Sequence, residues 1–334
     1  MTTPDSTWID DPLPTATATR VGLDEAVHAL LDRALALGRN GDALGAFRLL
    51  QAPLSALWSQ ARGTAQADAM RQWCRAHPLH ALVQQDPFTN RAATKPRGYA
   101  GDAVMLDYVY DSRPPEGTSD IGHAVFTATT RSGMGLSVCH RRALLRGLID
   151  ETVGTVAGAR LLSVACGHAR ELQGSLVDSE LFDGEFVALD QDPLSCAEVQ
   201  RSMAGRRVRV LQRGVRELMT AEGGAGPTPP LAAELGRFDL IYSAGLFDYL
   251  PDVAAQRLTR RLLQMLRPGG RLLIGNFVPA GSGRAYQELF MDWTLVLRNE
   301  VRMRELGQAV AAAQVATWLD PHRNVAYAEL RNEP

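Results

Sequence analysis

From Arg160 onward the chain changes texture, and that change restricts its fold more than any other feature. Short apolar runs at Leu161–Ala165, Phe186–Asp190, Val208–Leu211, Phe238–Ser243 and Arg271–Phe277 alternate with helical patterns. One of these, Val253–Leu266, stops at Arg267-Pro-Gly-Gly. Runs this short between longer helices predict a parallel sheet covered on both faces. After Gly283 come two helical patterns, then Val315–Asp320 and Val325–Asn332 about a turn at Pro321-His322-Arg323-Asn324, which predict an antiparallel hairpin on the sheet edge. The front half lacks strand alternation. Val21–Leu82 places apolar residues at i, i+3, i+4 and i+7 with a break at Asn40-Gly41, a second helical stretch covers Leu54–Trp73, and another runs from Met134 to Val153. The expected organisation is a disordered or loosely docked leader over 1–20, a helical N-terminal or lid domain over 21–155, and an α/β domain over 156–334. Gly223–Pro230 reads as a low-complexity surface loop.

Charge excludes some function classes. Thirty-five basic against 37 acidic residues leave a net −2, which gives no electrostatic case for nucleic acid or an anionic membrane. The Arg141-Arg142 and Arg206-Arg207 pairs read as solvated helix faces. No window holds 18 consecutive apolar residues, so no membrane span is expected. Residues 1–20 lack the basic start and apolar core of a secretory signal. Cys74, Cys139, Cys166 and Cys196 are scattered, without a Cys-x-x-Cys, and suit a reducing cytoplasm. His140 and His168 have no metal-ligand company, so no metal is inferred.

The turn in "RLLSVACGHAREL", Arg160–Leu172, carries the chemistry. In an open parallel sheet, ligands bind at the carboxyl ends of the strands where the strand order reverses, and small residues there let backbone approach the ligand. Asp190, 23 residues after Gly167 and closing the second run, is placed to accept from both hydroxyls of a ribose. That fits a dinucleotide or S-adenosylmethionine. A pyrophosphate needs Gly-x-Gly-x-x-Gly, and here Gly167 is followed only by Gly174. S-adenosylmethionine has no phosphate, and alanine at 165 and 169 is tolerable provided neither requires φ > 0, which would cost about 1–2 kcal/mol.

"LLSVACGHARE", "ALDQD", "FDLIYSAGLFDYLPD" and "LLQMLRPGGRLLIGNF" together resemble the ordered motifs of class I S-adenosylmethionine-dependent methyltransferases, across roughly Arg160–Phe277. Ala165-Cys166-Gly167-His168-Ala169 stands where that family usually has Gly-x-Gly-x-Gly, and Ser163 where it often has an acidic residue. A narrower resemblance, carried by "DPFTNRAATKPRGYAGDAVMLDYVY", "SAGLFDYL" and "GNF…MDWTLVLRNE", is to a subgroup associated with bacterial 3-hydroxy fatty acid methyl ester signals. The resemblance implies an α/β Rossmann-like fold with a mainly parallel seven-stranded sheet, an antiparallel C-terminal hairpin and an N-terminal helical domain. It also implies S-adenosyl-L-methionine as cofactor, with Ala165, Cys166, Gly167, Glu171, Asp190 and Gln191 around its sugar and methionine. Gly214 and Val215 would hold the adenine, and Ser243, Ala244 and Gly245 would lie beside the methyl.

In "KPRGYAGD", Pro96 and Gly98 set a turn and Asp102 caps a helix starting at Ala103. The same stretch also reads as a lid in which Arg97, Tyr99 and Gly101 fold over the methionine end, Arg97 pairing with its carboxylate. Phe247 and Tyr249 read as substrate walls or core aromatics. Asp248 reads as a base or a helix cap. Met291–Glu300 reads as helical, with Trp293 against substrate or in the core and Arg298 on a substrate carboxylate or in a surface ion pair. Asp248, Tyr249 and His140 are the candidate proton acceptors. A carboxylate nucleophile, ionised near pH 7, needs none. The expected activity is therefore methyl transfer to a small molecule, favouring the carboxyl of a (3-hydroxy) fatty acid or related acid. The alternatives are C-, N- or O-methylation of another metabolite, or a non-catalytic S-adenosylmethionine-binding protein. The helical front half reads either as a homodimer surface or as a roof over the site.

Overall fold

The computed structural model describes residues 22–219 and 231–332; the expected leader and the Gly223–Pro230 loop lie outside the described residues. Eight helices come first: α1 Leu23–Arg39, α2 Ala43–Ala61, α3 Gln66–Ala76, α4 Pro78–Val83, α5 Pro87–Thr94, α6 Ala103–Asp111, α7 Asp120–Thr130 and α8 Gly133–Thr155. The strands are β1 Arg160–Val164, β2 Glu185–Asp190, β3 Val208–Gln212, β4 Phe238–Ser243, β5 Leu266–Phe277, β6 Gln314–Leu319 and β7 Val325–Arg331. Between them lie α9 Pro193–Ser202, α10 Val215–Leu218, α11 Leu231–Leu235, α12 Asp252–Gln264, α13 Arg284–Phe290 and α14 Glu300–Gln308.

The strands form one seven-stranded sheet in the order β3-β2-β1-β4-β5-β7-β6. β1 to β5 are parallel, and β7 runs antiparallel to both β5 and β6. β1, β2 and β4 are apolar almost throughout because helices cover both faces, the burial that parallel pairing through crossovers imposes. The chain runs outward from β1 to β3, then returns to start β4 on the other side of β1. That reversal opens a crevice at the carboxyl ends of β1 and β4.

Three boundaries depart from expectation. β5 begins at Leu266, so Arg267-Pro-Gly-Gly, expected as a helix stop, lies within the strand. The Leu54–Trp73 stretch is two helices, divided at Arg62–Ala65, where Gly63 sits at φ 83. Met291–Glu300 is not a helix. Asp292 takes φ 47 and residues 293–299 form neither helix nor strand, three of their backbone N–H groups being tied to neighbouring elements. Trp293 N–H donates to Gln287 O, Val296 N–H to Asp248 O and Arg298 N–H to Phe277 O.

The front helices pack around Val27, Leu31, Leu54, Trp58 and Met70, and this cluster takes in Tyr286, Leu289 and Phe290 from α13. Trp58 Nε1 donates to buried Glu288 at 2.8 Å. α8 lies on the sheet instead, burying Val138, Leu145 and Ile149 against Leu240, Tyr242 and Tyr327. The bundle is thus fastened over the carboxyl ends of the strands. Among the described residues, no helix is long and apolar enough to cross a membrane, and no group of three or more His, Cys, Asp or Glu is placed to hold a metal ion.

Candidate functional site

The turn after β1 is held by its neighbours. Cys166 N–H donates to Leu189 O at 3.1 Å, and Ala169 N–H to Cys166 O at 3.0 Å. Ala165, Gly167 and Ala169 all occupy the left-handed region, at φ 57, 54 and 46. The proviso that neither alanine needs φ > 0 is therefore overturned: both do, each at about 1–2 kcal/mol, and the surrounding hydrogen bonds hold them there. Asp190 ends β2 at 6 % exposure. Its Oδ2 accepts from Gly167 N–H at 2.8 Å and its Oδ1 from Asp192 N–H at 2.9 Å. Burial raises its carboxyl above the ordinary value, with these two N–H bonds opposing the shift. A carboxylate has about four acceptor sites, so accepting capacity remains beside these bonds where Asp190 borders the cleft.

That cleft, of ≈ 420 Å³, lies against Ala165–Gly167, Asp190, Gln191, Val215, Ala244 and Gly245. Its volume falls within the roughly 300–1,000 Å³ of small-molecule sites. The segment before α6 roofs it. Asp102 caps α6 by accepting from Val104 and Met105 N–H at 3.1 and 3.2 Å, and pairs with Arg91. Gly101, at φ 76, has no room for a Cβ, which would run into the Trp293 indole and the Tyr249 hydroxyl. Tyr249 Oη donates to Ala100 O at 2.6 Å and accepts from Trp293 Nε1 at 2.9 Å, so both rings pin this loop. Burial pushes the Tyr249 phenol above its ordinary value, so it is a poor base. Arg97 reaches the cleft, but its Nη1 pairs with Asp192 at 2.8 Å and also meets Ser195 Oγ at 3.1 Å and His168 Nε2 at 3.3 Å. Its Nη1 is thus committed to a carboxylate of the protein, while the side chain still lines the cleft. Because Arg97 only donates, His168 Nε2 accepts and Nδ1–H faces Asp107 at 2.7 Å. Burial works against ionisation of Asp107, but Arg170 and His168 outweigh it and hold its carboxyl at about 2.

On the β4 side several expectations fail. Ser243 is fully buried and donates to Val164 O at 3.0 Å, tying β4 to β1. Phe247 is in the apolar core behind the sheet, away from any substrate wall. Asp248, 1 % exposed, turns toward β5, where Oδ1 accepts from Phe277 N–H at 2.7 Å and Oδ2 has no partner. Burial raises its carboxyl to about 7. It does not line the cleft. Arg298, 2 % exposed, is spent on structure: its guanidinium donates to Phe247 O, Leu250 O, Asn276 Oδ1 and Asp252 Oδ1 at 2.6–3.1 Å. No substrate carboxylate can claim it. His140 points off the α8 face that lines the cleft, and Gly214 stands outside the lining while Arg213 and Val215 are in it. Trp293 lines a second cavity.

That second cavity, of ≈ 60 Å³ and almost wholly apolar, meets the cleft at Leu106 and lies among Phe88, Met105, Val109, Met134 and Val138. Among the cleft residues that sequence reasoning missed are two helical pairs, Leu106 with Tyr110 and Arg141 with Leu145. Each pair is spaced i, i+4, the signal that they share a helix face, but nothing in the sequence says which face turns to the crevice.

No family model matches the sequence, and no curated protein matches it. Solved structures do. A possible exported protein from Bordetella parapertussis aligns with 20% identity over 83% of this chain and 98% of its own, at a TM-score of 0.58, and shares the fold. Magnesium protoporphyrin IX methyltransferase from Synechocystis PCC 6803, with bound S-adenosylhomocysteine, aligns at 11% identity over 69% of this chain and 99% of its own, TM-score 0.45. The 1,6-didemethyltoxoflavin-N1-methyltransferase of Burkholderia thailandensis, with 1,6-didemethyltoxoflavin and S-adenosylhomocysteine bound, aligns at 19% over 62% and 85%, TM-score 0.41.

Proposed function

We propose that this chain is an S-adenosylmethionine-dependent methyltransferase of small molecules, methylating the carboxyl oxygen of a 3-hydroxy fatty acid or related carboxylate. The observation that carries the first half is Asp190, buried at the crevice with both oxygens on backbone N–H groups of adjoining turns and its carboxylate bordering the cleft, where it can accept from a ribose hydroxyl. The left-handed turn at Ala165–Ala169 lacks the glycine spacing of a pyrophosphate cradle, which favours a cofactor without phosphate. When bound, S-adenosylmethionine supplies a methyl group made electrophilic by its sulfonium. Ala244 and Gly245 then border the acceptor, and the Gly98–Gly101 loop, pinned by Tyr249 and Trp293, excludes water. Positioning of this kind can supply about 7–11 kcal/mol. A carboxylate acceptor fits because Asp248 and His140 lie off the cleft and Tyr249 resists ionisation. The apolar cavity beyond Leu106 supports an acyl tail, each buried CH₂ contributing about 0.8 kcal/mol.

Calorimetric titration with S-adenosylmethionine tests the cofactor, and absence of binding at millimolar ligand rejects it. Incubation with 3-hydroxy acids of graded length and analysis for methyl esters tests the acceptor. Turnover confined to amine or phenol acceptors transfers the reading to another methyltransferase class.

A further inference from the structure

Arg141 is a buried cation without a counter-ion. It projects from α8 into the cleft at 5 % exposure, and among the described residues it makes no ion pair. Its single hydrogen bond there, from Nη1 to Ala244 O at 2.5 Å, fixes the guanidinium at the end of β4. Among the described residues no acceptor meets the remaining N–H groups of the fork, and they are not among the fully buried unpaired atoms, since the side chain opens on the cleft. A guanidinium removed from water this far is costly unless a charge or several acceptors meet it, and every other deeply buried arginine of the site has such partners: Arg298 has Asp252, and Arg97, only slightly more open, has Asp192. Across the same cleft, Glu171 is buried, with Oε1 accepting from Tyr242 Oη at 2.6 Å. Its carboxyl and that of Asp248 both feel the Arg141 charge without pairing with it.

We propose that Arg141 is the carboxylate seat of the cleft, binding a ligand carboxylate through the free side of its guanidinium fork. Such a fork matches a carboxylate in plane. With the buried Glu171 carboxyl supplying acceptor oxygens in the same chamber, the site suits a zwitterionic α-amino-acid end, which on the proposed reading is the methionine end of the cofactor. A carboxylate acceptor is the other source of the same chemistry.

The test measures binding of S-adenosylhomocysteine and of 5′-methylthioadenosine, which lacks the amino-acid end, to the full chain and to its Arg141→Gln and Arg141→Lys variants. A carboxylate on the cofactor predicts a loss of tenfold or more for S-adenosylhomocysteine in Arg141→Gln, partial recovery in Arg141→Lys, and methylthioadenosine affinity within twofold of wild type. A carboxylate on the acceptor predicts unchanged affinity for both adenosyl ligands and a tenfold higher KM for a 3-hydroxy fatty acid. Equal losses for both adenosyl ligands, or no change in any of the three quantities, overturn the assignment while leaving the cofactor reading intact. Failure of the wild-type chain to bind either adenosyl ligand removes that reading itself, and this assignment with it.

Discussion

The two banks of the crevice are built differently. On the β1–β2 bank, the residues that the sequence marks face the ligand space: Ala165, Cys166, Gly167, Asp190 and Gln191 all border the cleft. On the β4–β5 bank, the equally conspicuous Ser243, Phe247, Asp248 and Arg298 are turned into the protein and spent on holding it together. The first bank is a strand, a tight turn and a strand end, where alternation and the crossover rule dictate which atoms emerge. The second is a 3-10 turn at Phe247–Tyr249 crossed by an irregular strap, and neither has a period that a sequence displays. A polar residue in a loop beside a crevice is therefore not yet a residue in the crevice.

The comparison breaks most visibly at Arg298. Replacing it with alanine leaves Asn276 Oδ1 and Leu250 O without their donor and takes one of two donors from Phe247 O, so we expect a loss of about 3–5 kcal/mol in denaturant unfolding. A merely raised KM with unchanged stability would return Arg298 to the acceptor. On the opposite bank, Asp190→Ala should weaken S-adenosylmethionine binding at least about 100-fold, because two hydrogen bonds to a charged group are lost. Unchanged affinity by calorimetry would remove the first bank from the site.

Asp248 sharpens the contrast through pH. Its folded carboxyl titrates near 7, raised from 3.8 by burial, so the protonated form is the one the fold favours. The associated stability is present below the unfolded value and is lost as pH rises from about 4 through 7. Asp248→Asn keeps the acceptor for Phe277 N–H and abolishes this loss, so the difference between thermal melts of the variant and the wild type should grow as pH rises from about 4 to 7 and stay constant above 7. Parallel melts at all pH values would contradict the burial argument. The smallest effect is Ala165→Gly, which removes a left-handed alanine and should stabilise the chain by about 1 kcal/mol in the same unfolding assay. A destabilised variant would mean that the turn is not strained.

Element order, strand identities and the hairpin at Val315–Asn332 were legible because each rests on local period and punctuation: apolar runs bounded by Gly and Pro, and helical spacing in the front half. The Met291–Glu300 segment was misread for the same reason. Its apolar spacing satisfies a helix, but tertiary hydrogen bonds from Trp293, Val296 and Arg298 offer its backbone other partners. The reading of Arg141-Arg142 as a solvated helix face is overturned at Arg141, which is buried, because two adjacent arginines on a helix look alike until one knows which side lies on the sheet. Here Arg142 stacks over Tyr110, while Arg141 turns into the cleft.

By itself the sequence determined a crossover sheet with its first turn and Asp190 at the crevice, since backbone pairing and side-chain alternation act over a few residues and leave a readable pattern. Only the tertiary structure decided which charges are satisfied. Arg97, Arg298 and Asp248 found their partners, or failed to, across separations of 22 to 95 residues along the chain, and electrostatic pairing depends on distance in space, which no local pattern encodes.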